Sequence, residues 1–168
     1  MTSLFSFPNP VNEKAARVVA AGVLTMAVVT LATSWYWLLI PLAYGFLARV
    51  LTGPTLSPLG QLATKVIAPR LGPERPVAGP PKRFAQGIGA VITLAAAVIA
   101  LQDPTATSPA TDVLLGLLVI AAGLESILGF CVGCRIFSGL MRVGLIPDTV
   151  CEECANIALR AERPAGAA

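Results

Sequence analysis

Histidine is absent from this 168-residue chain, and charged residues make up only 12% of it. The first absence removes His-based catalytic triads, imidazole metal ligands and His-type pH switches. The second is about half the charge that soluble domains carry. Hydrophobic residues instead reach 55%, with a mean hydropathy of +0.77, so a water-soluble globule is excluded as the leading reading.

Apolar runs separated by breakers fit a hydrocarbon layer ~30 Å thick, which about 20 helical residues cross. Four stretches qualify, at about 15–32, 35–51, 84–101 and 113–134. The expected fold is all-α and integral to a membrane, with four transmembrane helices and short interfacial helices on the cytoplasmic side. Asn12 is the N-cap candidate for the first, and Thr33-Ser34 is the break before the second, so these two are expected to form a helical hairpin. A re-entrant hairpin is the alternative for this pair. Trp35, Tyr36 and Trp37 place headgroup-level rings at the start of the second stretch, and Pro41 should bend it.

The cations divide completely. Two precede the first span, six lie at the end of the second or in the following loop, and four follow the last span, which accounts for all 12 Lys and Arg residues. The opposite connections hold Asp103 and Asp112 instead. The positive-inside rule then predicts a multi-pass protein of a bacterial inner membrane with both termini and the central loop cytoplasmic. A cleavable signal peptide fits poorly, because the first apolar run starts late, has Glu13 beside its basic flank and lacks a small-x-small cleavage site.

The chain therefore divides into a four-span bundle, 1–143, and a C-terminal cytoplasmic segment, 144–168, with the central loop at 52–83. Within that loop Ser57-Pro58 forms an N-cap and N1 pair, and Leu59, Leu62, Val66 and Ile67 follow at near-helical spacing opposite Lys65. These residues predict a short helix on the cytoplasmic lipid surface. The proline-rich stretch 73–81 predicts an extended linker. Lipid is one partner, and no nucleic-acid partner is expected.

All four cysteines fall in 24 residues, as Cys131-Val-Gly-Cys134 and, after 16 residues, Cys151-Glu-Glu-Cys154. That spacing falls in the range of a tetrathiolate zinc site. On the cytoplasmic side, where thiols stay reduced, metal ligands or working redox thiols are more natural than structural disulfides. Asp148 is expected to cap a helix starting at Thr149, which puts Cys151 in a first turn where the helix dipole favours thiolate. A fourth span running straight to Val143 would hold Cys134 ~12 Å from the turn, so bringing the sulfurs together requires a break soon after Cys134. Gly129, Gly133 and Gly139 permit one, and Ile136, Phe137, Leu140 and Met141 would then suit a short amphipathic helix.

Glu125 lies 12 residues into the fourth stretch and six before Cys131. A carboxylate at that depth has to be neutral, paired or hydrated. Two readings stand: a proton acceptor for the thiols, or a structural pair with an arginine such as Arg49. Glycines 87, 89, 116, 123, 129 and 133 allow close helix contact, within the chain rather than between copies.

Several stretches together carry a family resemblance. They are Phe7-Pro-Asn-Pro-Val-Asn-Glu13, Tyr44-Gly-Phe-Leu-Ala-Arg49 with Thr55-Leu-Ser-Pro58, Pro80-Pro-Lys-Arg-Phe-Ala-Gln-Gly87, and Gly129-Phe-Cys-Val-Gly-Cys134 with Cys151-Glu-Glu-Cys154. In these the chain resembles the membrane family known as domain of unknown function 4395, over all but its last dozen residues. The resemblance implies a four-span bacterial membrane protein without an assigned activity. It also implies a thioredoxin-like or sulfurtransferase neighbour, and so thiol chemistry.

Two functional classes follow. In the first, Cys131, Cys134, Cys151 and Cys154 hold a structural zinc, or less readily iron, in a scaffold or interaction subunit. In the second, the two pairs are dithiols that exchange electrons or sulfur with a thioredoxin-like partner, Glu125 handling protons. The full tetrathiolate spacing favours the first, a non-enzymatic role, over thiol–disulfide or persulfide catalysis. Transport is a distant third, with one intramembrane acid and no internal repeat.

Overall fold

The computed structural model describes residues 7–102, 109–151 and 154. Among the described residues the chain forms a helical bundle of six α-helices, α1 (Glu13–Thr33), α2 (Leu39–Thr52), α3 (Pro58–Gln61), α4 (Gly79–Gln102), α5 (Pro109–Leu128) and α6 (Val132–Arg142). Three of them, α1, α4 and α5, are long and apolar enough to cross a membrane. At 1.5 Å per residue they run roughly 32, 36 and 30 Å, each about the thickness of a hydrocarbon core.

Local signals set their ends. Asn12 caps α1, its side chain accepting the N–H of Lys14 at 3.0 Å, and Ser34 ends it in the left-handed region at φ 52°. The stretch expected at 35–51 is instead a 3-10 turn, Tyr36–Leu38, followed by α2. Pro41 therefore sits in the first turn of α2, where its missing N–H removes no helical bond, so it marks a start rather than a bend. The 17 residues Tyr36–Thr52 form a shorter apolar helix, which is why three membrane-length helices are present among the described residues rather than four.

The packing differs from a sequential hairpin. α1 lies mainly on α5 and α2 on α4, with α4 also against α5 and α6, while α1 and α2 touch only lightly. Small residues explain these choices. Gly89 of α4 leaves the space that the Phe46 ring of α2 fills, and Gly22 of α1 leaves room for Leu59 of α3. Buried positions are mostly Ala and Thr, such as Ala27, Ala96, Thr30 and Thr93, whereas Val91, Val98, Leu117, Ile120 and Ile127 point outward. Small residues inside and large aliphatic residues outside are what helices packed in lipid display.

The basic ends of the helices meet. Arg83 of α4 donates from Nε to the Val50 carbonyl at 2.9 Å, and Lys14 donates to the Leu71 carbonyl at 2.6 Å. A two-residue strand β1, Val11–Asn12, pairs antiparallel with β2, Pro76–Val77, so the 73–81 linker is tied to the N-terminus and gives way to α4 at Gly79. Pro80 and Pro81 are accommodated in that helix's first turn. At the other end Tyr36 donates to Asp112 at 3.0 Å, beside the exposed Trp35 and Trp37.

Ser57 caps α3 as expected, accepting from the Gly60 N–H at 3.2 Å. The helix continues through a π-helical stretch, Leu62–Ile67, and a 3-10 turn, Ala68–Leu71. Ala63 and Ala68 are buried, while Leu62, Val66 and Leu71 are exposed.

Candidate functional site

Helix α5, which occupies the fourth apolar stretch, does not reach Cys134. It ends at Leu128, and Gly129 follows at φ 69°, a backbone region costly for residues with a Cβ. The N–H groups of Gly129 and Phe130 turn back to the carbonyls of Glu125 and Leu124 at 3.0 and 3.1 Å. Arg17 of α1 supplies the remaining cap. Its guanidinium donates to the Ser126 carbonyl at 3.2 and 3.3 Å and to that of Ile127 at 2.8 Å, placing a cation at the negative end of α5. The break lies before Cys131 rather than after Cys134, because the positive-φ glycine precedes the pair.

Its first consequence concerns Glu125, which sits three residues from the end of α5 rather than deep within a span. There its Oε1 meets Nζ of Lys82, in the first turns of α4, at 2.6 Å, with side-chain exposures of 15% and 10%. Arg49, one partner the sequence offered, lies in the field of Glu125 but makes its hydrogen bonds elsewhere. It donates to Gln86 at 2.7 Å and Ser57 at 3.1 Å and stacks over Phe46, 4.7 Å from the ring centre. Lys82 was missed because a lysine just before an apolar run reads as topogenic charge.

The second consequence concerns the thiols. Cys131 becomes the N-cap of α6, in extended conformation, with its Sγ accepting the Cys134 N–H at 3.3 Å. The amphipathic helix expected from Ile136, Phe137, Leu140 and Met141 is α6. Gly133 presses it against α4, since a Cβ built there would lie 2.6 Å from the Ala85 Cα, and Phe137 meets Phe84 edge-on at 5.6 Å between ring centres. Arg135 lies over the Phe130 ring at 5.2 Å. Cys131 thus occupies the site where a helix N-terminus and a backbone N–H favour a thiolate.

The setting expected for Cys151 is different in the structure. A single 3-10 turn, Asp148–Val150, opens after Pro147, and Cys151 follows it, its N–H bonded to the Asp148 carbonyl at 3.1 Å. Asp148 enters the turn itself and so does not cap it with its side chain. Glu152 and Glu153 lie outside the described residues.

Each cysteine is bonded within its own pair, Cys131 with Cys134 and Cys151 with Cys154, the Cα atoms 5.2 Å apart in both. The pairs nevertheless share a space. Cys131, Cys134 and Cys154 line one open cleft of about 630 Å³ together with Lys82, Arg135 and Glu13. Cys151 is buried at 5% exposure. Cys131 and Glu125 also line a smaller cavity of about 90 Å³ inside the bundle. Among the described residues no three Cys, Asp or Glu groups form a metal-holding set.

Membrane-length helices joined at a basic end, with a C-x2-C pair heading a short helix there, define a helical protein with membrane-compatible spans and close cysteine pairs. Residues 11–142 match the family model described as a domain of unknown function, DUF4395, and the chain belongs to that family. The matched region contains Cys131, Cys134, Glu125 and Lys82 and ends before Cys151, so the second pair lies beyond it. No curated protein and no solved structure matches the chain.

Proposed function

We propose that this chain is a four-span membrane protein of a bacterial inner membrane, with its basic end and both termini in the cytoplasm. In this reading the Cys131–Cys134 pair is a working dithiol that exchanges electrons, or sulfur, with a soluble thioredoxin-like or sulfurtransferase partner. The observation that carries the reading is the placement of Cys131 as the N-cap of α6 on the wall of an open, cation-bearing cleft. A thiolate there is stabilised by the Cys134 N–H and the helix dipole, and it remains accessible to an attacking or attacked sulfur.

This reading puts the dithiol ahead of the zinc site that the spacing favours. A tetrathiolate needs four sulfurs around one ion at ~2.3 Å, whereas here every cysteine is closed on its own pair partner. Glu125, bonded to Lys82 at the end of α5, takes a structural role in this reading.

The test is anaerobic purification followed by metal analysis and thiol titration, before and after incubation with reduced thioredoxin. The expected result is metal-free protein with a disulfide that thioredoxin reduces and mild oxidant restores. About one metal per chain with shielded thiols would instead return the zinc reading.

A further inference from the structure

We infer that the second cysteine pair is the in-chain exchange partner of the first, and that electrons pass between them through a Cys131–Cys154 mixed disulfide. The inference rests on the dithiol reading above and adds the identity of one sulfur that Cys131 attacks.

The placement of the C-terminal segment supplies the argument. α6 carries the chain about 12 Å away from Cys134 before it turns at Gly144, whose φ is 78°. The turn is closed by the N–H groups of Leu145 and Ile146 on the Leu140 carbonyl, at 3.0 and 3.3 Å. The ten residues that follow reach up to about 33 Å when extended, more than the return requires. They bring Cys154 back to the cleft wall that Cys131 and Cys134 already form. A segment serving only as a tail has no reason to return one sulfur to the open site and bury the other.

Unequal access within the second pair sets the direction of attack. Cys154 lines the cleft, whereas Cys151 is buried and does not line it. Exchange is decided by which sulfur can be reached and by which thiolate attacks. With the first pair reduced and the second oxidised, the Cys131 thiolate attacks Sγ of Cys154. The Cys151–Cys154 bond breaks, the Cys131–Cys154 bond forms, and Cys151 leaves as a thiolate that takes up a proton. Cys134, giving up its proton, then attacks Sγ of Cys131, closes the first pair and releases Cys154. Cys154 departs as a thiolate, so two electrons and one proton move from the first pair to the second, the thiolate charge passes from Cys131 to Cys154, and no external oxidant enters the step. The reverse sequence returns them.

The family-matched region ends at Arg142, with the first pair inside it and the second beyond it.

The experiment uses the full chain in detergent. The double variant Cys134→Ser/Cys151→Ser keeps only Cys131 and Cys154, and Cys131→Ser/Cys154→Ser keeps only Cys134 and Cys151. On mild oxidation the first should form an intramolecular disulfide, identified by peptide mapping of the monomer, at least about tenfold faster than the second. In the wild-type chain given one equivalent of reduced dithiol, alkylation and mapping should find label on both pairs. No Cys131–Cys154 bond, disulfide-linked dimers only, or equal rates in the two variants would overturn the inference. Reduced thioredoxin acting on the Cys151→Ser/Cys154→Ser variant separates the two levels. Reduction of Cys131–Cys134 there, without a Cys131–Cys154 bond in the first variant, leaves the dithiol function standing and removes the relay.

Discussion

Deleting Lys82 alone should damage this protein more than deleting Lys82 and Glu125 together. The ammonium and the carboxylate meet at 2.6 Å with 10% and 15% of their side chains exposed, so Glu125 is the direct counter-ion of Lys82 in a largely dry place, with the buried Arg49 guanidinium also in the carboxylate's field. Removing one partner of a buried pair costs about 3–5 kcal/mol, because the remaining charge is left unneutralised, whereas replacing both by apolar groups of similar size is often neutral or favourable. The residual exposure places Lys82→Met near the lower end, at about 3 kcal/mol. The double variant Lys82→Met/Glu125→Leu should fall within about 1 kcal/mol of the wild type by the same reasoning. Reversible unfolding in mixed micelles at neutral pH, followed by helical circular dichroism, gives all the required free energies. A double variant as unstable as Lys82→Met, or a Lys82→Met chain as stable as wild type, would refute the claim that this pair ties the end of α5 to the start of α4.

Two other outcomes are expected. Gly133→Val should lower stability by about 1–3 kcal/mol and slow oxidation of the Cys131–Cys134 pair, since even a Cβ there meets the backbone of Ala85 at 2.6 Å. Gly139→Ala, where nothing lies within 4 Å, should stabilise the same helix by about 0.5–1 kcal/mol, and a destabilising Gly139→Ala would show that α6 has a further contact there. For topology, a reporter enzyme active only after export should be inactive when fused after Ala168 and active when fused after Gln102. The opposite pattern would remove the cytoplasmic assignment and the reducing compartment on which the working-thiol argument depends.

Much of the fold is legible where the chain writes its own punctuation. Asn12, Ser34 and Ser57 mark helix ends by local hydrogen bonds and backbone preference, which need nothing from the rest of the molecule. The gathering of Lys14, Arg49, Lys82 and Arg83 at one end follows equally from counting cations by loop. Helix partners are less legible. Whether α2 packs on α1 or α4 depends on which glycine, here Gly89, stands opposite Phe46, and hydropathy carries no such information.

The site shows the same division. Residues 113–134 are almost uniformly apolar, so their hydropathy has no feature at 129, and a glycine there reads equally as a packing surface or as a turn. Only the backbone distinguishes the two: Gly129 turns the chain at φ 69°, with the Arg17 guanidinium closing the exposed carbonyls just before it. The shift in helix end reassigns two chemistries at once. It moves Glu125 from the middle of a span to within reach of Lys82, converting an expensive isolated carboxylate into half of an ion pair. It also moves Cys131 from a helix interior, where the dipole offers its sulfur nothing, to an N-cap, where the Cys134 N–H points at it. The acid and the thiol are therefore linked through the geometry of one glycine. An account of reactivity at Cys131 begins with the geometry of the turn that precedes it.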